Sequence, residues 1–502
     1  MSTSDPHAGE RLWSIFRRTV ARAPDATAIT SSDGSLTFRQ VEELAGQLAE
    51  LLAERGITAG AVVHQSLPNT PLFLPVFLAI RKLDATVGLV SSRYRDAEFR
   101  AVTHRLPPTA YLTTPQIAGV LARAIEVEKS EQLPGVGGQP GLSLVFPVAG
   151  KPARDTKGLA LIKFTSGSTG APKGVGLTEA NLLAEASNVV ATLAITEKDR
   201  ILVPVPVSHS YGFDLGLLPV AYAGARAVLR RSFIPREVLA DLADPATSIF
   251  LGVPSMYRIL AETQVADVPD LSHVRYLLSC TAPLLPDLVQ LCHERLRVPV
   301  CQHYGSSETG AAANHRPDQV LARPASVGVA MSGVEIRIVG DDGAPLPPGQ
   351  EGEIVIRSAA VAPGYVTDEG LAAAAFQRID DRLTEYHTGD IGVLDEDGFL
   401  FWRGRKDQVI NVGGLKVYPA EVTQVLERCP GVSAARVFAA LDPRGEQVVH
   451  AVVTLSQSIR EQDILAFCRQ HLADYKVPRR IEIAEAITSP EAVKMSDLSG
   501  ET

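Results

Sequence analysis

Cysteine is scarce in this chain. Cys280, Cys292, Cys301, Cys429 and Cys468 are five, an odd number, with no C-x-x-C pair among them. That excludes a disulfide framework, is poor spacing for a metal site, and leads to the expectation of a reducing, cytoplasmic compartment. Positive charge is not in excess. A net charge of −9 argues against nucleic acid or an anionic membrane as the main partner. An anionic cofactor still needs only local positive charge and oriented backbone N–H groups. Residues 1–13 are polar and charged, with no apolar core segment, so no secretory signal is expected. Long apolar runs are missing too. The most apolar stretch, 201–229, is broken by Pro204, Pro206, Asp214, Pro219 and Arg226, and reads as buried strands and a helix, not a membrane span. Internal repeats and low-complexity segments are absent.

What is present is an ordinary globular composition, 45% hydrophobic and 21% charged over 502 residues. It implies a large core divided over roughly two to four compact units. Residues 38–55 carry Val, Leu and Ala at helical spacing behind Thr37, a candidate N-cap. Residues 61–67 read as a strand and 71–83 as an apolar helix. This alternation predicts an α/β fold with layered elements and largely parallel strands. Residues 129–141 (KSEQLPGVGGQPG) read as a loop by their Gly, Pro and charge content. Beyond about Ser326 the texture changes. Strand-like pieces at 334–339, 353–357 and 392–394 alternate with DDGAPLPPGQEG and DEDG, which predicts a small β-rich subdomain. After Trp402 comes RGRKDQ, a charged segment suited to an exposed hinge. Helices at 420–428 and 461–471 and strands at 434–438 and 448–455 then predict a compact α+β unit. The expected organisation is a large N-terminal part, 1–403, a hinge at 404–408 and a small mobile C-terminal lid domain, 409–502.

The strongest chemical signal is the eleven-residue segment 164–174, FTSGSTGAPKG, which follows the apolar run 159–162. Its glycines permit backbone angles closed to other residues, so successive N–H groups can turn inward on phosphate oxygens. Ser166, Ser168 and Thr169 add hydroxyl donors, and Lys173 a mobile charge that can follow departing pyrophosphate. The P-loop pattern G-x-x-x-x-G-K-[ST] is not matched. A short G-S-T-G alone is a common linker, but a specified run of this length does not arise by chance when each residue type occurs at roughly 5%. The segment resembles the phosphate-binding signature of the adenylate-forming superfamily of acyl-CoA synthetases, peptide-synthetase adenylation domains and luciferases. Its texture is nearest to acyl- and aryl-CoA ligases. Thr165, Ser166, Gly167, Ser168, Thr169, Gly170 and Lys173 are the residues this resemblance assigns to ATP.

Further motifs follow in the family's order. Residues 304–308, YGSSE, resemble Y-G-x-T-E with Ser307 in place of Thr. The resemblance implies that Tyr304 stacks on adenine, Ser307 contacts the AMP phosphate and Glu308 serves Mg²⁺, for which a carboxylate is the expected hard-oxygen ligand. Thr281, Ala282 and Pro283 stand where the family has a G-A-P turn beside adenine. Residues 387–390, HTGD, resemble the T-G-D motif in which the Asp, here Asp390, binds both ribose hydroxyls; a carboxylate accepts two hydrogen bonds, so the residue type fits. Residues 404–407, GRKD, resemble the hinge motif, with Arg405 on the ribose and Asp407 as the pivot. Residues 411–421, NVGGLKVYPAE, match the segment beyond it. Each piece alone is weak; six in order over 164–421 extend the resemblance over essentially the whole chain.

The family ends in a catalytic lysine, usually after Gly in P-x-x-x-x-G-K. Here Pro490 and Lys494 fit, but Val493 replaces the Gly. By resemblance Lys494 bridges the substrate carboxylate and the α-phosphate, beside Thr169 and Glu308 in the catalytic set. Residues 206–212, PVSHSYG, resemble the P-x-F-H-x-x-G segment of acid-activating relatives, which places His209 near the reacting carboxylate. Relatives that take α-amino acids anchor the ammonium group with the Asp of F-D-x-S. Phe213 and Asp214 look like that pair, but counting from TEKDR at 196–200 puts the anchoring position at Ser210. An aromatic or aliphatic acid is therefore expected, not an α-amino acid. The pocket is expected at His209, Ser210, Tyr211, Phe250, Gly252, Ser279, Gly305 and Gly328, the glycines leaving room for a ring or chain.

The implied function is ATP-dependent activation of an acid to acyl-AMP, then transfer to a thiol, coenzyme A, with ATP and Mg²⁺ as cofactors. A variant would load the pantetheine of a separate carrier protein, since no D-S-L-type attachment serine stands near the end of the chain. A nucleotide-binding relative with impaired catalysis is the remaining class, motivated by Val493; the intact phosphate, adenine, metal and ribose motifs weigh against it. Nucleic acid and membrane are not expected partners.

Overall fold

The computed structural model describes residues 9–135, 138–148, 156–165, 172–263, 269–367, 375–412, 415–442 and 446–487. The chain divides by contact into two compact units. One comprises Met1–Ile336, Val355–His387 and Gly398–Leu400; the other comprises Arg337–Ile354, Thr388–Asp397 and Phe401–Thr502. The expected hinge segment, 404–408, falls inside the second unit.

The first unit is layered α/β. Its nine-stranded sheet runs in the order Val329–Ala330, Gly310–Asn314, Val300–Ser306, Tyr276–Ser279, Ile249–Gly252, Arg200–Val203, Arg226–Leu229, Thr27–Ser31, Gly34–Thr37. From Val300–Ser306 through Thr27–Ser31 every pair is parallel. Strands covered on both faces must be apolar throughout, and Ile249–Gly252 is buried at each residue. The eight-stranded sheet runs Gly364–Tyr365, Lys173–Thr178, Leu159–Thr165, Thr86–Leu89, Val62–Ser66, Ala110–Thr113, Ser143–Pro147, Val127–Gln132.

Helix Phe38–Ala53 begins where the sequence placed it. Thr37 accepts from Gln40 N, and the Gln40 side chain accepts from Thr37 N, a complete capping box. Helix Phe73–Lys82 is buried over almost its whole length, as its unbroken apolar character requires. Residues 129–132 are not loop. They belong to strand Val127–Gln132, which pairs antiparallel with Ser143–Pro147 at the sheet edge. An edge strand tolerates the exposed Lys129 and the half-buried Glu131, which Arg55 pairs, so composition concealed it.

In the second unit, strands Val432–Leu441, Gln447–Leu455 and Arg480–Ile483 form a three-stranded sheet. Helix Pro419–Arg428 has proline in its first turn, where no N–H partner is lost. It joins helix Glu461–His471 in a separate core that includes Val422, Leu426, Val437, Val453, Ile464 and Cys468. The strands expected at 334–339, 353–357 and 392–394 lie within Val334–Val339, Glu351–Ser358 and Thr384–Leu394, members of a five-stranded sheet. Among the described residues no helix is long and apolar enough to cross a membrane. All five cysteines are buried free thiols.

Candidate active site

Open parallel sheets bind ligands beyond the carboxyl ends of their strands, where chain-reversing loops cluster. Four of the motif segments leave neighbouring strands of the nine-stranded sheet at that end. His209 and Ser210 follow Arg200–Val203, Phe250 and Gly252 close Ile249–Gly252, Thr281 to Pro283 follow Tyr276–Ser279, and Tyr304 to Ser306 close Val300–Ser306. Segments up to a hundred residues apart are thus gathered along one edge by topology alone.

Ser210 Oγ lies 2.7 Å from Ser307 Oγ, which joins the segment expected at the acid to the one expected at the phosphate. Glu308 is buried, and its Oε1 accepts from the Tyr365 hydroxyl at 2.8 Å. Tyr365 also bonds Tyr386 Oη at 3.1 Å. Burial first, and the Glu308 charge second, push the Tyr365 phenol well above its ordinary value, so it stays a donor. Lys173 Nζ stands 5.4 Å from the centre of the Tyr365 ring, a cation–π contact. Thr165 and Lys173 are direct cross-strand partners in the eight-stranded sheet, with 166–172 between them in the sequence. Ser166, Gly167, Ser168, Thr169 and Gly170 lie outside the described residues, as do Gly413, Gly414 and Lys494.

Helix Ser210–Gly212 runs directly into a wide π-turn, Phe213–Leu217, and then helix Leu218–Ala223. Such turns recur at functional sites because they re-aim side chains within a helix. His209 is open to solvent on one side, yet the protein around its ring lowers its pKa, burial first and the positive charge of Arg93 second. Neutral imidazole is therefore its form at pH 7. Asp214 does not face a substrate: Lys163 Nζ donates to both its oxygens, at 2.8 and 2.6 Å.

Thr281 adopts a left-handed backbone, φ 74°, costly for a β-branched residue. Gln302, which the sequence did not single out, holds this turn from both sides. Its Oε1 accepts from Leu284 N at 2.9 Å, and its Nε2 donates to Ala282 O at 3.3 Å.

Among the expected pocket residues, Tyr211 is buried, donates to Leu278 O at 2.8 Å and stacks on His303. Phe250 packs edge-on against Tyr257, with ring centres 5.5 Å apart. Ser279 is fully buried, and its Oγ has no hydrogen-bond partner among the described residues. The three glycines do not leave open room. A Cβ at Gly252 would stand 2.7 Å from the Tyr257 ring, at Gly305 2.3 Å from Gly310 O, and at Gly328 2.1 Å from the Asn314 carbonyl carbon. Protein atoms fill those spaces.

In the second unit, Arg405 NH1 donates to Thr388 O at 2.7 Å and to Asp390 Oδ1 at 3.2 Å. Asp390 N donates to Thr388 Oγ1 at 2.9 Å. Gly389 takes φ 69° to make this tight turn, and a Cβ there would come within 3.1 Å of Arg405 NH2. The two residues expected at the ribose are therefore one hydrogen-bonded pair. Asp407 follows in a 3₁₀ turn, Lys406–Gln408, with Oδ1 3.5 Å from Arg405 Nε.

Residues 16–366 match the AMP-binding enzyme family, and residues 421–491 match the AMP-binding enzyme C-terminal domain. The chain belongs to the AMP-binding enzyme family. It is 32% identical over 479 residues to a 2-succinylbenzoate–CoA ligase of Geobacillus kaustophilus, covering 94% of each chain. It is 30% identical over 498 residues to a feruloyl-CoA synthase of an Amycolatopsis species, covering 97% of each. Its fold resembles the o-succinylbenzoate CoA synthetase of Bacillus subtilis solved with an acyl-adenylate, at TM-score 0.81, 24% identity and 95% coverage of both chains.

Nothing in the sequence singles out Tyr365, Tyr386 or Gln302. None lies in a motif, and each matters only through a partner distant in the chain.

Proposed function

We propose that this AMP-binding enzyme joins a carboxylic acid to ATP, forming acyl-AMP and releasing pyrophosphate, and then passes the acyl group to the thiol of coenzyme A, releasing AMP. The observation that carries the reading is the 2.7 Å approach of Ser210 to Ser307 at the carboxyl ends of parallel strands. It brings an acid-binding segment against a phosphate-binding one, as attack of a carboxylate on an α-phosphate requires. Ser307 and the Thr165–Lys173 hairpin are assigned to ATP phosphates, Tyr304 and the Thr281 turn to adenine, Asp390 and Arg405 to ribose. Neutral His209 stands at the acid. The acid is aromatic or aliphatic: the position that anchors an ammonium group in amino-acid-activating relatives is Ser210, which carries no charge, and the nearby Asp214 is engaged by Lys163.

Among the described residues there is no group of three metal-ligating side chains. A single buried carboxylate, Glu308, with its shape fixed by Tyr365, suits a Mg²⁺ whose other ligands are ATP oxygens and water. Such a cation neutralises charge developing on the phosphates.

Pyrophosphate exchange over a panel of acids tests the first half, and thioester formation with coenzyme A the second. Failure to exchange with any aryl or aliphatic acid would end this reading. Asp390→Ala is expected to raise the ATP KM with little change in kcat, because the ribose is held alike in ground and transition states. Unchanged ATP affinity would remove Asp390 from the site. Asp407 is proposed as the pivot between the two half-reactions. Proline suits the φ of a 3₁₀ turn and restrains departure from it. Asp407→Pro is therefore expected to change the ratio of the half-reactions, sparing adenylation and depressing thioester formation. Equal loss in both assays would place the pivot elsewhere.

A further inference from the structure

Lys163 and Asp214 form an ion pair almost sealed from solvent, with side chains 4% and 2% exposed. A third ionisable group lies beside them. Glu185, on helix Glu179–Leu193, is buried; its Oε1 accepts from Ala311 N at 2.9 Å, while Oε2 has no partner among the described residues. A Cβ at Gly310 would stand 2.1 Å from Glu185 Oε2, so the carboxyl group is pressed against the turn that follows Glu308. Buried ion pairs rarely add stability over apolar packing of the same volume. Stability alone therefore does not account for this group.

Its location does. Lys163 lies two residues before Thr165, on the strand leading into the phosphate segment. Asp214 lies in the π-turn just past His209 and Ser210. Ala311 is the cross-strand partner of Gly305, within the 304–308 motif. Each of the three segments assigned above to ATP or to the acid is thus fastened at one point to this cluster.

We propose that Lys163, Asp214 and Glu185 are positioning residues, a buried cluster of one cation and two carboxyl groups that fixes the phosphate strand, the acid-facing turn and the 304–310 segment against one another. The inference rests on the adenylation reading. In-line attack tolerates little error, since a displacement of about 1 Å costs roughly a hundredfold.

The charged groups facing Glu185 are Asp214 from the π-turn and Lys163 from the strand. Burial first, then the Asp214 charge, push Glu185 up to about 8, while Lys163 and the Ala311 N–H oppose the shift. Burial raises Asp214 as well, and its two bonds from Lys163 hold it ionised. Of the two carboxyl groups, Glu185 is therefore the one that holds a proton at neutral pH. Glu185 in the folded chain holds a proton that the unfolded chain releases near its ordinary value of 4.5. Stability consequently falls as pH rises through that window.

Two variants of the full-length protein test this. Glu185→Gln keeps the shape and the bond from Ala311 but cannot ionise. Its melting temperature relative to the parent is expected to be higher at pH 8 than at pH 5 by about 2 °C or more. An offset equal at both pH values overturns the proposed protonation, and the cluster with it. The double variant Lys163→Met with Asp214→Leu replaces the pair by apolar groups of similar size and is expected to fold. Its pyrophosphate-exchange kcat should fall by at least about tenfold, with a smaller change in the ATP KM. A folded double variant with parent kcat means the pair is structural only, and overturns the proposal. Should the double variant not fold, the Glu185→Gln comparison decides. A parent protein with no exchange activity would instead sink the adenylation reading, which separates the two failures.

Discussion

Lys494→Ala is expected to slow acyl-adenylate formation by about two to three orders of magnitude, yet to leave conversion of supplied acyl-AMP and coenzyme A to thioester near the parent rate. Adenylation turns a carboxylate and a triphosphate into a crowded pentacoordinate centre, where a lysine ammonium stabilises charge absent from either reactant. Thiol attack on a preformed acyl-AMP develops no such centre, so the same lysine has no part in it. Lys494 lies outside the described residues, and its assignment rests on Pro490 and the family's tail pattern. Single-turnover assays of each half-reaction separate the outcomes. Adenylation at the parent rate would make Val493 a true departure from the family. Lys416, exposed on strand Leu415–Val417, would then be the next cation to replace.

Glu308→Gln is expected to lower adenylation by roughly a hundredfold or more while leaving melting temperature nearly unchanged. The amide oxygen still accepts from Tyr365, so packing and the local hydrogen bond survive. Only the negative charge is lost, and with it the hard ligand suited to Mg²⁺. Raising Mg²⁺ should restore part of the rate in a titration of exchange activity. A variant with parent activity at every Mg²⁺ concentration would leave Glu308 no role at the metal.

Much of this was legible in the sequence where chemistry lies in consecutive residues. The segment expected at phosphate, the 304–308 turn and the Asp390–Arg405 pair carry glycines and donors at fixed spacing. The structure joins each to a strand end or a tight turn. Helix starts such as Thr37 were legible for the same reason, since a cap needs only four residues to form. What escaped depends on partners far away in the chain. Residues 129–132 look like loop until Ser143–Pro147 supplies the opposite strand. Asp214, set aside as a substrate anchor by counting from 196–200, acquires its role only when Lys163 supplies the partner. Tyr365 carries no local signal, because its meaning comes from Glu308 and Lys173, both more than fifty positions earlier.

The filled glycine positions bear on any attempt to redirect acid selectivity. Mutant libraries usually begin at small residues lining a cleft, on the view that added bulk reshapes the cavity. At Gly252, Gly305 and Gly328 the first added carbon meets a tyrosine ring or main chain, not ligand. Diversity spent there returns misfolded clones. Ser210, half-buried and bonded to Ser307 where the proposed acid and phosphate segments meet, is the position where a new side chain is expected to alter what binds while the sheet behind it stays intact.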